Sequence, residues 1–88
     1  GIMIYKPRND YILFRMVNKG EVRGIAMPDS AAEGIERTVV ALGPKVEGLK
    51  VGDKIMVVGQ VGQDVARLPT TKDLYLTKEA NVVLVLEG

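Results

Sequence analysis

The 88-residue chain contains no cysteine and no histidine. Without cysteine there is no disulfide framework, no thiolate nucleophile and no zinc knuckle. Without histidine, the commonest general base near neutral pH and the commonest metal ligand are both missing. Catalysis would have to rest on carboxylates or lysines alone, so the composition argues against an enzyme. An excess of one charge is missing too: twelve Lys and Arg against eleven Asp and Glu leave a formal net charge of +1, and the two signs are interspersed. The clustered bases of a nucleic-acid footprint are absent from this pattern. No apolar run approaches the ~20 residues of a membrane-spanning helix. Neither a secretory signal nor an amphipathic transit segment is visible, so the expected compartment is the cytoplasm.

What the chain does have is a series of short apolar runs separated by Gly, Pro, Asn and Asp. At this length it makes one domain, residues 1–88, and such a domain buries only about 60–65% of its unfolded surface. Its core is modest, and association of subunits would help to stabilise it. Residues 2–5 read as a short terminal edge strand stopped by Lys6 and Pro7. Residues 11–17 place Ile12, Phe14 and Met16 on one face and Tyr11, Leu13, Arg15 and Val17 on the other, the pattern of a central strand covered on both sides. Residues 35–42 begin with alternating polarity and end wholly apolar before Gly43-Pro44. Further strands are expected at 55–58, 64–68, 74–77 and 82–86, with a turn, or one helical turn, at 78–81. Seven short strands with turn residues between them predict an all-β fold, a small barrel. The runs at 12–17, 39–42, 55–58 and 82–86 are expected to supply its core.

Several polar residues have a bland reading that outweighs a functional one. Asp10, Asp53, Asp64 and Asp73 all fall beside expected turns and read as turn formers rather than as a catalytic carboxylate pair. Arg15 reads as a salt-bridge partner at a rim or interface, and Tyr11, Phe14 and Tyr75 as packing residues. Gly43-Pro44 and Gly52-Asp-Lys54 are turns, and no phosphate-binding glycine loop of the Walker type occurs.

The stretch from Asn18 to Gly34 is too long for an ordinary turn. Structureless connections longer than about 12–15 residues are uncommon in compact domains and are often functional. Gly20 and Gly24 loosen the backbone, while Pro28 removes an amide donor and biases Met27 towards an extended conformation. In an extended segment Ile25 and Met27 point the same way and Ala26 the other. That geometry suits a peptide offering two anchors to a groove. It equally suits a short edge strand capping the domain's own barrel, and periodicity does not choose between the two.

The order of motifs resembles the chaperonin-10 (GroES-like) co-chaperonin family over nearly the whole chain. Lys6-Pro-Arg-Asn-Asp10 before a hydrophobic strand is similar to the family's opening. Gly24-Ile-Ala-Met-Pro-Asp-Ser-Ala31 resembles its Gly-Ile-Val-(Leu or Ile)-Pro-Asp-Ser-Ala segment. Val39-Val-Ala-Leu-Gly-Pro44, Val51-Gly-Asp-Lys-Ile55, Asp73-Leu-Tyr-Leu76 and the run Val82 to Leu86 are similar to later segments in the same order.

This resemblance implies a dome of seven β-barrel subunits that caps a GroEL-type chaperonin ring in a nucleotide-dependent way, with the nucleotide bound by the chaperonin and no cofactor on the co-chaperonin. It implies a mobile loop at about residues 18–34, in which Ile25, Ala26 and Met27 contact the chaperonin apical domain and Gly24 gives the bend. It also implies a subunit interface between a first strand, Ile2, Met3, Ile4 and Tyr5, and the last strand of a neighbour, Val83, Leu84, Val85 and Leu86. Two departures stand out. Ala26 replaces a larger valine, and only residues 45–50 lie where the family has a longer roof hairpin, which implies a truncated roof. Roof-deficient relatives that resemble this chain occur among bacteriophages. Two other readings share the barrel: a stand-alone interaction module that binds another partner through the loop, and a fragment of a medium-chain dehydrogenase catalytic domain, whose usual Cys and His zinc ligands this chain lacks.

Overall fold

Strand β1 (Tyr11–Asn18) carries large apolar side chains on both faces, and the fold is arranged so that both are covered. In the computed structural model, which describes residues 4–18 and 35–86, Ile12, Leu13 and Phe14 are all buried. Strand β1 pairs antiparallel on one side with β2 (Ile35–Leu42) and on the other with β5 (Leu74–Lys78). It is therefore a central strand, as its two-sided apolar pattern predicts. Strands β3 (Lys54–Val57), β4 (Val65–Arg67) and β6 (Val82–Leu86) complete one antiparallel sheet in the order β4-β5-β1-β2-β3-β6.

Both ends of this sheet reach one core. Ile12 and Phe14 of β1, Val39 of β2, Ile55 of β3 and Val65 of β4 form a single buried cluster, against which Tyr75 of β5 and Val82 and Val85 of β6 pack. All six strands share one interior only if the sheet curls round it, as in a small barrel. Phe14 lies opposite Tyr75 in register, and their rings stack with centroids 5.8 Å apart. A bulge lets β2 bring both Val39 and Leu42 to this interior. Leu13 pairs with Ala41 but Phe14 with Val39, so Val40 is the extra residue. This is how a wholly apolar run ends a strand that starts with alternating polarity.

The connections are held by the residues expected to form turns. Gly52 takes φ +97°, and the Asp53 carboxylate accepts a hydrogen bond from the Lys50 amide at 2.9 Å. The Asp64 carboxylate accepts from the Gln60 amide at 3.1 Å. Asp73 instead pairs with Arg15 at 3.0 Å, which makes Arg15 the surface salt-bridge partner its position suggests. A single 3-10 turn (Glu79–Asn81) joins β5 to β6 and locks a buried polar relay. Asn81 donates to the fully buried Thr77 hydroxyl at 2.9 Å, which donates to the Asp64 carbonyl at 2.9 Å.

Three expectations need correction. The described residues form six strands; of the expected first strand at residues 2–5, Ile2 and Met3 lie outside the described residues, and Ile4 and Tyr5 join no strand among them, as fits a terminal edge that needs a neighbour to bond to. The last strand is not wholly a core strand. Val82 and Val85 pack inward, whereas Val83, Leu84 and Leu86 are 54%, 47% and 57% exposed, since β6 ends the sheet and only one of its faces meets the core. Met56 and Val58, in and after β3, are half exposed because Ile55 and Val57, on the other face, are the residues that meet the core.

Candidate protein-interaction site

Residues 19–34 connect β1 to β2, and the sequence-predicted contacts Gly24, Ile25, Ala26 and Met27 lie outside the described residues. What is described is the base of that connection. Val17 pairs with Glu36 and Asn18 with Ile35, so the ladder between β1 and β2 continues to the point where the segment begins and ends. The segment is thus carried on the central strand and its neighbour, elements fixed by Phe14 and Val39 in the core.

Of the residues expected at a subunit interface, Ile2 and Met3 also lie outside the described residues. Ile4 is 75% exposed. Tyr5 is partly buried, with its hydroxyl 3.3 Å from the Thr70 hydroxyl. At the other end of the sheet, β6 bonds to β3 alone among the described residues, and it carries the exposed Val83, Leu84 and Leu86. Leu84 lies opposite Met56 in register, so the outer surface of the β3/β6 pair is apolar. An apolar sheet edge with unpaired backbone groups is a template for another chain.

The connection at residues 43–50 is compact and contains no strand. It is clasped from both sides. The Lys45 amide donates to the Asn9 carbonyl at 2.9 Å, and the Glu79 carboxylate accepts from the Gly48 amide at 2.9 Å and the Glu47 amide at 3.4 Å. Leu49 is buried in the core beneath it. Gly43 passes so close to the N-terminal segment that a Cβ there would meet the Asn9 and Arg8 carbonyl oxygens, the latter at 2.9 Å.

Sequence reasoning missed one feature. Segment 4–9 crosses the outer face of the sheet beside the turn after β4, and together they bound a groove of about 720 Å³ lined by Tyr5, Pro7, Leu13, Leu68, Pro69 and Leu76. The available signal was the apolar Tyr11 and Leu13 on the face of β1 turned away from Phe14. Among the described residues no group of acidic side chains could hold a metal ion, and no helix is long and apolar enough to cross a membrane.

No family model matches the chain. It is, however, 35% identical over 66 residues to the co-chaperonin GroES of Campylobacter curvus, an alignment that spans 72% of this chain and 77% of that protein. That coverage, on a six-stranded antiparallel barrel with the long β1–β2 connection the resemblance calls for, places the chain in the GroES co-chaperonin family.

Proposed function

We propose that this chain is a co-chaperonin that caps a GroEL-type chaperonin ring and encloses its folding chamber. The observation that carries this reading is the similarity to a protein named as a co-chaperonin, which extends across most of both chains. The working state is a homo-oligomeric ring of seven subunits in the cytoplasm. The chaperonin binds and hydrolyses the nucleotide, and the co-chaperonin responds to the state that this sets.

Contact with the chaperonin is made by Ile25, Ala26 and Met27, with Gly24 as the bend. Burying a large aliphatic side chain contributes about 1.5–3 kcal/mol. Ordering each residue around it costs about 1–2 kcal/mol. Two anchors, Ile25 and Met27, therefore bind weakly, and Ala26 adds less buried area than a larger side chain there. A ring overcomes this because once one segment docks, the others bind at high effective concentration. Weak separate contacts give a lid that both holds and releases. Ring closure is assigned to Ile2, Met3, Ile4 and Tyr5 of one subunit against Val83, Leu84, Val85 and Leu86 of the next; the unpaired, half-exposed edge of β6 supports this assignment. The strandless connection at residues 43–50 supports a dome with a short roof and a wide central opening.

Ile25→Asp is the direct test. The variant is expected to keep the β-sheet circular dichroism and oligomeric mass of the parent chain while losing nucleotide-dependent co-sedimentation with a chaperonin. A variant that still capped the chaperonin and supported refolding of a client would refute the assignment of the segment.

A further inference from the structure

On the face of β2 that carries the buried Val39, the next residue towards the connection at 19–34 is Arg37, opposite Met16 in register. Met16 packs against the core cluster, so a guanidinium stands at the rim of the interior, where the apolar face of the strand runs out. Arg37 is only partly exposed, and its Nε is buried with no hydrogen-bond partner. It is the one buried side-chain polar atom left in that state among the described residues. Two neighbouring cations on the opposite face of the sheet are paired, Arg15 with Asp73 at 3.0 Å and Lys54 with Glu36 at 3.5 Å. Arg37 has no such partner among the described residues.

Taking a guanidinium N–H out of water without giving it an acceptor destabilises a fold, and buried polar groups in native structures almost always have a partner. Packing does not require the donor, because an aliphatic stem covers an apolar rim whether or not a charge ends it. The donor thus calls for an acceptor from outside the framework, and the planar fork of a guanidinium fits a carboxylate through two parallel bonds. Arg37 lies two residues beyond Ile35, where the ladder between β1 and β2 begins, or about 7 Å at the usual rise of a strand. A partner that holds the connection is tethered to this end of the barrel. We propose that Arg37 binds an acidic side chain of the protein that docks residues 25–27. The inference rests on the co-chaperonin reading above and adds a second contact to it, polar and directional, beside the two apolar anchors. A chaperonin that presents Asp or Glu at this place is favoured over one that does not.

Two variants of the full chain test this. Arg37→Met keeps the length of the stem and removes the charge and its donors, whereas Arg37→Lys keeps the charge and removes the fork. Affinity for a GroEL-type chaperonin with nucleotide is read by titration calorimetry at low and high salt, and the thermal midpoint of the free chain by circular dichroism. Arg37→Met is expected to bind about tenfold or more weakly than the parent, with a shallower salt dependence, and Arg37→Lys to fall between them. The midpoint of free Arg37→Met is expected to equal or exceed the parent's, because an orphaned donor has been removed. Binding of Arg37→Met as tight as the parent's would overturn the proposal. So would a lowered midpoint, which would show that the guanidinium is already bonded within the free chain. Failure of the co-chaperonin reading is distinct: there the parent itself does not bind the chaperonin, and the contact falls with it.

Discussion

Gly43 leaves no room for a side chain, because its neighbours are main-chain oxygens of Arg8 and Asn9 rather than movable side chains. Its amide also donates to the Tyr11 carbonyl at 2.8 Å, so it cannot retreat without breaking the start of β1. Gly43→Ala is expected to destabilise the fold by about 1–3 kcal/mol, the usual cost of forced overpacking, measured as a lower urea midpoint with an unchanged slope. Phe14 acts in the opposite sense, by filling space. It is fully buried against Tyr75 and Val39, and Phe14→Ala is expected to cost about 3–5 kcal/mol, enough to leave a small domain largely unfolded by circular dichroism.

At the scale of elements, Glu79 is the tie between the end of β5 and the connection at 43–50. Its carboxylate is the acceptor for two amides that find no partner in a strand. Glu79→Ala is expected to speed hydrogen exchange at Glu47 and Gly48 about tenfold or more. Global stability should change by only about 1 kcal/mol, because both amides are near water and Leu49 still anchors the connection. Unchanged protection at those two amides would show that Leu49 alone holds it. This tie was not legible in the sequence, since the bonded residues are separated by more than thirty positions. The strands themselves were legible where a period-2 pattern or a Gly/Pro stop marked them, as in β1 and β2. Their burial was less so. A wholly apolar strand such as Val82–Leu86 has no alternation from which to tell an edge from a centre, and only the sheet order decides. The groove needed three segments to come together, 4–9, β1 with β5, and the turn after β4, so no local pattern announced it. The triplet Ile25–Met27 lies outside the described residues, and its proposed contact with a chaperonin rests on the length of its connection, the spacing of its two large apolar residues and its motif.

For the whole molecule, the balance between core and surface matters most. Eight hydrophobic residues of the described structure are buried, while Ile4, Met56, Val58, Val61, Val83, Leu84 and Leu86 remain exposed. A chain that leaves so much apolar surface outside a small core gains stability from copies of itself. Its thermal midpoint is accordingly expected to rise with protein concentration, followed by circular dichroism over a hundredfold dilution series. A midpoint independent of concentration, with a monomeric mass, would count against the ring.

The pairing of Asn18 with Ile35 has a consequence beyond this chain. The ladder between β1 and β2 runs up to that pair, so the framework's own hydrogen bonding is complete at the base of the connection. On the proposed function, exchanging residues 19–34 for the equivalent stretch of a relative is expected to transplant that relative's choice of chaperonin, read by co-sedimentation, with the melting midpoint of the host barrel unchanged.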